Sequence, residues 1–191
     1  MAPSEARREG ILDAAQMLIL KHGLRGTSME AIAKEAGIAK PTLYAYFPDK
    51  PAVFAALLER LIGAWRAEFL SALRSDGDVV QRIAAALTAK HKAARRVLDI
   101  SPHADELYEE HDRGGAAQFA AFDAELAALI EAELAAAGIA RARIVTQFFL
   151  AASYGIGHRA QSVAELGPAL RLLAERLLRP ELPNGGLIAG D

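Results

Sequence analysis

The chain has 191 residues, a length between one domain and two small ones, with 52% hydrophobic residues and a formal net charge of −2. It has no cysteine, which excludes a disulfide framework, a thiolate zinc site and a cysteine nucleophile together. The N-terminus is polar, with no apolar run after its arginines, and no later segment is apolar for long enough to span a bilayer, so a cytoplasmic protein without a membrane partner is expected.

Much of the hydrophobic content is alanine, which favours helices. Valine and isoleucine are scattered without alternation, so nothing reads as a strand. The fold class expected is all-α.

The first helix is predicted over 4–21, because Ile11, Ala14, Ala15, Leu18 and His22 recur at helical steps. Gly23 ends it. Thr27, followed three residues later by Glu30, reads as a capping box that opens a second helix with Met29, Ile32, Ala33 and Ala36 facing inward. Gly37 stops that helix, and a third is predicted over 40–47 with Pro41 in its first turn.

A long helix follows over 49–75, striped by Val53, Leu57, Leu58, Leu61, Trp65, Phe69 and Leu73. Residues 75–78 form a turn, and 79–98 are helical with a break near His91. A helix opened by Ser101 and Pro102 through 112, then helices over 116–137, 142–160 and 163–178, complete the body. Pro180, Pro183 and the glycine pair 185–186 end regular structure, so 180–191 is expected to be a disordered tail. The domain division expected is 1–50, 51–179 and that tail.

Two short helices around a glycine turn describe a helix-turn-helix. At 100° per residue, Leu43 and Phe47 of the second helix share the inner face; Pro41, Thr42 and Ala45 point outward, with Tyr44 and Tyr46 on the flanks. That face suits a major groove: Thr42 can bond a base edge or meet a thymine methyl, and Ala45 permits close approach. Tyr44, Tyr46, Lys40 and Lys50 are placed to reach phosphates. Charge adds little, since residues 1–50 carry seven basic against six acidic side chains.

The segments Ile11-Leu12-Asp13-Ala14-Ala15, Gly23, Thr27-Ser28-Met29-Glu30-Ala31-Ile32-Ala33, Ala36-Gly37, Thr42-Leu43-Tyr44-Ala45-Tyr46-Phe47 and Lys50 resemble the signature of the tetracycline-repressor (TetR) family. The resemblance covers the first quarter to third of the chain. It implies a three-helix DNA-binding head, a fourth helix leading to a ligand-binding body, and a homodimer held by the last two helices. Thr27, Lys40, Thr42, Tyr44, Tyr46 and Lys50 match DNA-contacting positions of the motif. Ala39, where the family often has a serine cap, and Pro51, where a helix former is usual, depart from it.

The function expected is a ligand-responsive regulator, a repressor that binds a palindromic operator in double-stranded DNA as a homodimer. No catalytic residue, cofactor or metal is expected. The alternative is a small all-α enzyme or metal-binding protein with an incidental helical hairpin. Its strongest support is the cluster His103, Asp105, Glu106, His111 and Asp112, for which a solvated helix edge is the plainer reading.

The resemblance also implies an apolar cavity in the body for a small, largely apolar effector. Trp65, Phe69, Phe119 and Phe122 are candidate walls, and His91 or His103 the polar handle. Phe148, Ala151, Ala152, Gly155 and His158 are candidates for the dimer seam, where small residues let helices approach closely.

Overall fold

A computed structural model of the chain describes residues 4–98, 102–103 and 116–183. Those residues form helices and connecting turns, with no strand among them. The helices are α1 (Glu5–Gly26), α2 (Met29–Glu35), α3 (Lys40–Tyr46), α4 (Lys50–Leu73), α5 (Val79–Leu98), α6 (Ala116–Ala136), α7 (Ala142–Arg159) and α8 (Val163–Leu177), followed by a 3-10 turn, Arg179–Glu181.

The described residues fall into two compact units: one from 1–63 and 96–120, the other from 64–95 and 121–191. The division lies inside α4 rather than at residue 50. The first turns of α4 supply Val53, Ala56 and Leu57 to the core of the head, so the head cannot end before them.

In the head, Ile11, Leu12, Ala15 and Ile19 of α1 meet Met29, Ile32 and Ala33 of α2, Leu43 of α3 and Phe47 just beyond it. Arg60 of α4 reinforces this packing with a fork: Nη1 donates to Glu9 Oε2 (3.1 Å) and Asp13 Oδ1 (2.7 Å), and Nη2 to Gln16 Oε1 (2.7 Å). One side chain of α4 thus grips three successive turns of α1.

The expected capping box is corrected. At Gly23 (φ 75°) the backbone leaves α1, and the chain makes one more turn to Gly26. Thr27 therefore belongs to the end of α1, its buried hydroxyl donating to Gly23 O (2.8 Å). Ser28 caps α2 instead, its hydroxyl accepting from the Ala31 N–H (3.2 Å). After α2, Gly37 takes φ 64°; its N–H donates to Lys34 O and that of Ile38 to Ala33 O. This is a Schellman turn, and its left-handed residue is the one place in the helix-turn-helix where glycine is required.

The second unit is packed on period-four rows. Phe122, Leu126, Ile130 and Leu134 of α6, all buried, meet an interior also filled by Phe69, Ile83, Leu87, Phe149, Leu166 and Leu170. Helices α7 and α8 pack on each other. Ion pairs close the rim: Arg66 with Glu125 (2.8 Å) and Arg82 with Glu133 (2.7 Å).

Helix α5 has no break at His91. It contains neither glycine nor proline, and His91 lies on its buried face. Of the tail expected from residue 180, residues 180–183 are described, and the 3-10 turn reaches Glu181. Leu178 is buried, and Arg179 bridges Glu175 (2.7 Å) and Asp78 (2.9 Å), which holds the chain in its 3-10 turn. Residues 184–191, and the helix expected through 112, lie outside the described residues.

Glycine at 157 is required for space rather than for backbone freedom. A Cβ there would stand 2.6 Å from His91 Nδ1. The imidazole is buried and cannot swing away. Gly157→Ala is expected to destabilise the chain by about 1–3 kcal/mol, as overpacked cores do, and a urea melt measures it.

Candidate nucleic-acid interface and buried polar centre

Helix α3 has only seven residues, so its outer face is set by what its inner face holds. Leu43 is fully buried and Phe47 nearly so. Lys40, Pro41, Tyr44 and Ala45 are thereby exposed and Thr42 half-buried, the disposition predicted from the helical wheel. Ala39 precedes the helix without a side-chain cap.

The individual side chains divide into two groups. Pro41, Thr42, Tyr44 and Ala45 offer their surfaces outward, and Lys40 forms an exposed ion pair with Glu30 of α2 while lying over the Tyr44 ring (5.9 Å). This pairing draws the Glu30 carboxyl below its ordinary range and raises the Lys40 ammonium above its own.

The other three are committed inside the head. Thr27 is buried, its hydroxyl donating to Gly23 O. Lys50, expected at a phosphate, instead donates from Nζ to Leu24 O (2.9 Å) and Thr27 O (3.1 Å). It adds a charged donor to carbonyls at the end of α1, where the helix supplies few of its own. Tyr46 accepts the Ser4 N–H at its hydroxyl (3.0 Å) and packs on the head core. Sequence position alone did not distinguish these roles, because all three positions flank the exposed face.

In the second unit, Trp65, Phe69 and Phe122 are buried among its core residues. Arg66 lies over the Phe122 ring (5.5 Å). Phe119 and His103 fall in the head's segments, so the structure does not group them with the other candidate walls. Of the acidic and histidine cluster, His103 is described and half-buried. Asp105, Glu106, His111 and Asp112 lie outside the described residues.

Along α7, Phe148 (65% exposed), Ala151, Gly155 and His158 continue the exposed stripe begun by Ile144, with Ala152 half-buried beside it. Leu172 of α8 is likewise exposed. The opposite face of α7, with Val145, Thr146, Phe149 and Ser153, is buried.

The buried polar centre was only partly legible. His91 was a candidate, but its neighbours were not. Lys90 is 8% exposed and His91 6%. The Lys90 ammonium stands 4.4 Å from the centre of the Tyr154 ring, and the His91 ring meets the same tyrosine edge to face at 5.8 Å. The Tyr154 hydroxyl donates to Asp123 Oδ1 (2.5 Å). Burial lowers Lys90 to about 8, against the partial support of Asp123, and lowers His91 to about 3, with the Lys90 charge adding to the effect. Burial and the Asp123 carboxylate push the Tyr154 hydroxyl far up. The one signal available beforehand was a Lys-His-Lys run on a face otherwise continued by Ala86, Leu87 and Ala93.

The fold and the α1–α3 arrangement define a helix-turn-helix head with a helical body of separate packing. Residues 11–57 match the family of bacterial regulatory proteins, tetR family. The chain is 35% identical over 106 residues to the HTH-type transcriptional regulator RutR of Escherichia coli strain K12, covering 54% of this chain and 46% of RutR. It is 34% identical over 87 residues to the HTH-type transcriptional activator FasR of Mycolicibacterium smegmatis, covering 46% and 40%. The matched region spans less than half the length of either relative.

Among solved structures, a transcriptional regulator from Rhodococcus superposes with a TM-score of 0.70 at 22% identity, covering 90% of this chain and 95% of its own. The ketosteroid transcriptional regulator KstR2 of Mycobacterium tuberculosis superposes at 0.62 with 18% identity, covering 92% and 97%. At these identities the likeness is one of fold.

Two outcomes are expected. Lys50→Ala should lower stability by about 1–3 kcal/mol, the range for a lost hydrogen-bonded charge, in a urea melt. Stability should also fall as pH drops from about 6.5 toward 3, because His91 stays neutral when folded and takes up a proton when unfolded. The contribution is at most about 1.4 kcal/mol per pH unit, read as the difference in slope between the native chain and His91→Gln.

Proposed function

We propose that the chain is a ligand-responsive, DNA-binding transcriptional regulator that works as a homodimer on a palindromic operator and represses by occupying it. The carrying observation is α3: its Leu43 and Phe47 are spent on the head core, and Pro41, Thr42, Tyr44 and Ala45 are left facing out. An element of this size and chemistry fits a major groove, with Thr42 and Ala45 against base edges and Tyr44 and Lys40 toward phosphates. The tetR-family match over 11–57 supports the same reading.

Dimerisation follows from α7. An exposed phenylalanine beside isoleucine, alanines and an open glycine is an apolar stripe that a second helix can approach closely. Two heads related by a twofold axis require a palindromic site. The effector is a small molecule bound in the body, and its influence equals its difference in affinity for the DNA-bound and free conformations.

The test is binding of the purified chain to its own upstream DNA, titrated at two salt concentrations against random competitor. Protection of an inverted repeat by two protomers is expected; affinity no better than for random DNA overturns the reading. Thr42→Ala is expected to change the preferred base at one position per half-site, a shift of about 1–3 kcal/mol in discrimination. Phe148→Glu is expected to yield monomers in sedimentation and to weaken operator binding; a dimer that persists removes α7 from the interface.

A further inference from the structure

The polar centre around Lys90 stands out because it is charged, buried and incompletely partnered inside a unit whose core is mostly apolar. A buried ammonium is rare without a paired anion, and carries three donors. Among the described residues, Lys90 is met by the face of Tyr154 and, at longer range, by the charge of Asp123. Asp123 is in turn held by the Tyr154 hydroxyl. His91 Nε2 is buried with no hydrogen-bond partner among the described residues, while its Nδ1 side is held against Gly157. Both groups face the same tyrosine ring, Lys90 at its face and His91 edge to face. A buried polar atom without a partner calls for a physical explanation, and an absent ligand is one.

We propose that Lys90, His91 and Tyr154 form the recognition point for the effector of the body, and that the effector carries a carboxylate, which pairs with the Lys90 ammonium and accepts a hydrogen bond from His91 Nε2. This rests on the ligand-responsive reading above and adds the chemical class of the ligand. A carboxylate brings one negative charge and two acceptor oxygens, one for each group left wanting. A dianion such as phosphate fits less well: with Lys90 and Asp123 already offsetting each other, it would leave two uncompensated negative charges in the buried centre where a carboxylate leaves one.

The experiment uses the full chain and a panel of carboxylates (acetate, octanoate and benzoate), each against its neutral alcohol counterpart and against sodium chloride at equal ionic strength. Acetate is included because it is small enough to seat on the cationic centre whatever tail the site prefers. Binding is read by the rise in Tm and by movement of the His91 imidazole resonances.

At least one carboxylate is expected to bind saturably and to move those resonances, while its alcohol does neither. Lys90→Met, which replaces a buried charge with an apolar chain of similar length, is expected to fold and to lose affinity by about thirtyfold or more. The proposal is overturned if no carboxylate, acetate included, moves the His91 resonances beyond the salt control. It is also overturned if Lys90→Met binds within about twofold of the native chain. Should Lys90→Met fail to fold, the resonances of the native chain decide.

DNA binding is measured separately on the same samples. A carboxylate that binds through Lys90 yet leaves operator affinity unchanged overturns the effector role. A chain that never binds DNA specifically overturns the regulator reading instead, and the resonance shifts still report whether the centre takes an anion.

Discussion

The burial of Leu43 and Phe47 is the constraint on which the outward face of this protein depends. A helix of seven residues is too short to hold itself in water, because helix nucleation costs more than so few hydrogen bonds return. Helix α3 exists because those two side chains enter a core already built by Ile11, Leu12 and Ile19 of α1, Met29 and Ile32 of α2, and Val53 and Leu57 of α4. Once they are fixed, helical geometry leaves no choice about Pro41, Thr42 and Ala45. The surrounding polar contacts refine this placement: Arg60 grips α1, Lys50 closes its last turn, and Tyr46 receives the Ser4 N–H.

The helices and their inward faces were legible because they rest on periodicity, and periodicity survives in a single sequence. The apolar spacing in 142–160 and 163–178 gave helix ends within a residue of those observed. Finer assignments failed where two adjacent residues could serve the same end. Thr27 and Ser28 can both cap a helix, and only the extra turn after Gly23 hands that role to Ser28. Lys50 has the charge for a phosphate, but its reach back to Leu24 O and Thr27 O depends on tertiary packing that local pattern does not encode. His91 was visible as a lone histidine; its relation to Lys90, Asp123 and Tyr154 joins three helices and had no local signature.

The two units also differ in how closely their sequences are constrained. The family match ends at residue 57, while solved structures at 18–22% identity follow the fold along 90% or more of the chain. The head must bury a small core with short helices and still present a set outer face, so few residue combinations serve. The body needs apolar rows at period four, and many sequences provide them at equal volume. Rows such as Phe122, Leu126, Ile130 and Leu134 can therefore hold a fold in common while the groups set among them differ.

It is against that permissive background that a buried lysine carries weight. Packing alone offers no reason for it: an apolar residue of similar volume would fill the position on α5 without desolvating a charge, and such replacements are often neutral or stabilising. Gly157 compounds the point, since it leaves room for an imidazole whose Nε2 then finds no partner among the described residues. Aspartate and tyrosine moderate the cost of the ammonium, one by its charge and the other by its ring, but each is also bound to the other, so neither is wholly given to Lys90. A centre that is assembled from three helices and left with unused hydrogen-bond donors is costly to keep in an empty protein and favourable in a filled one. That difference in free energy between the empty and filled states is the quantity a ligand-responsive protein requires.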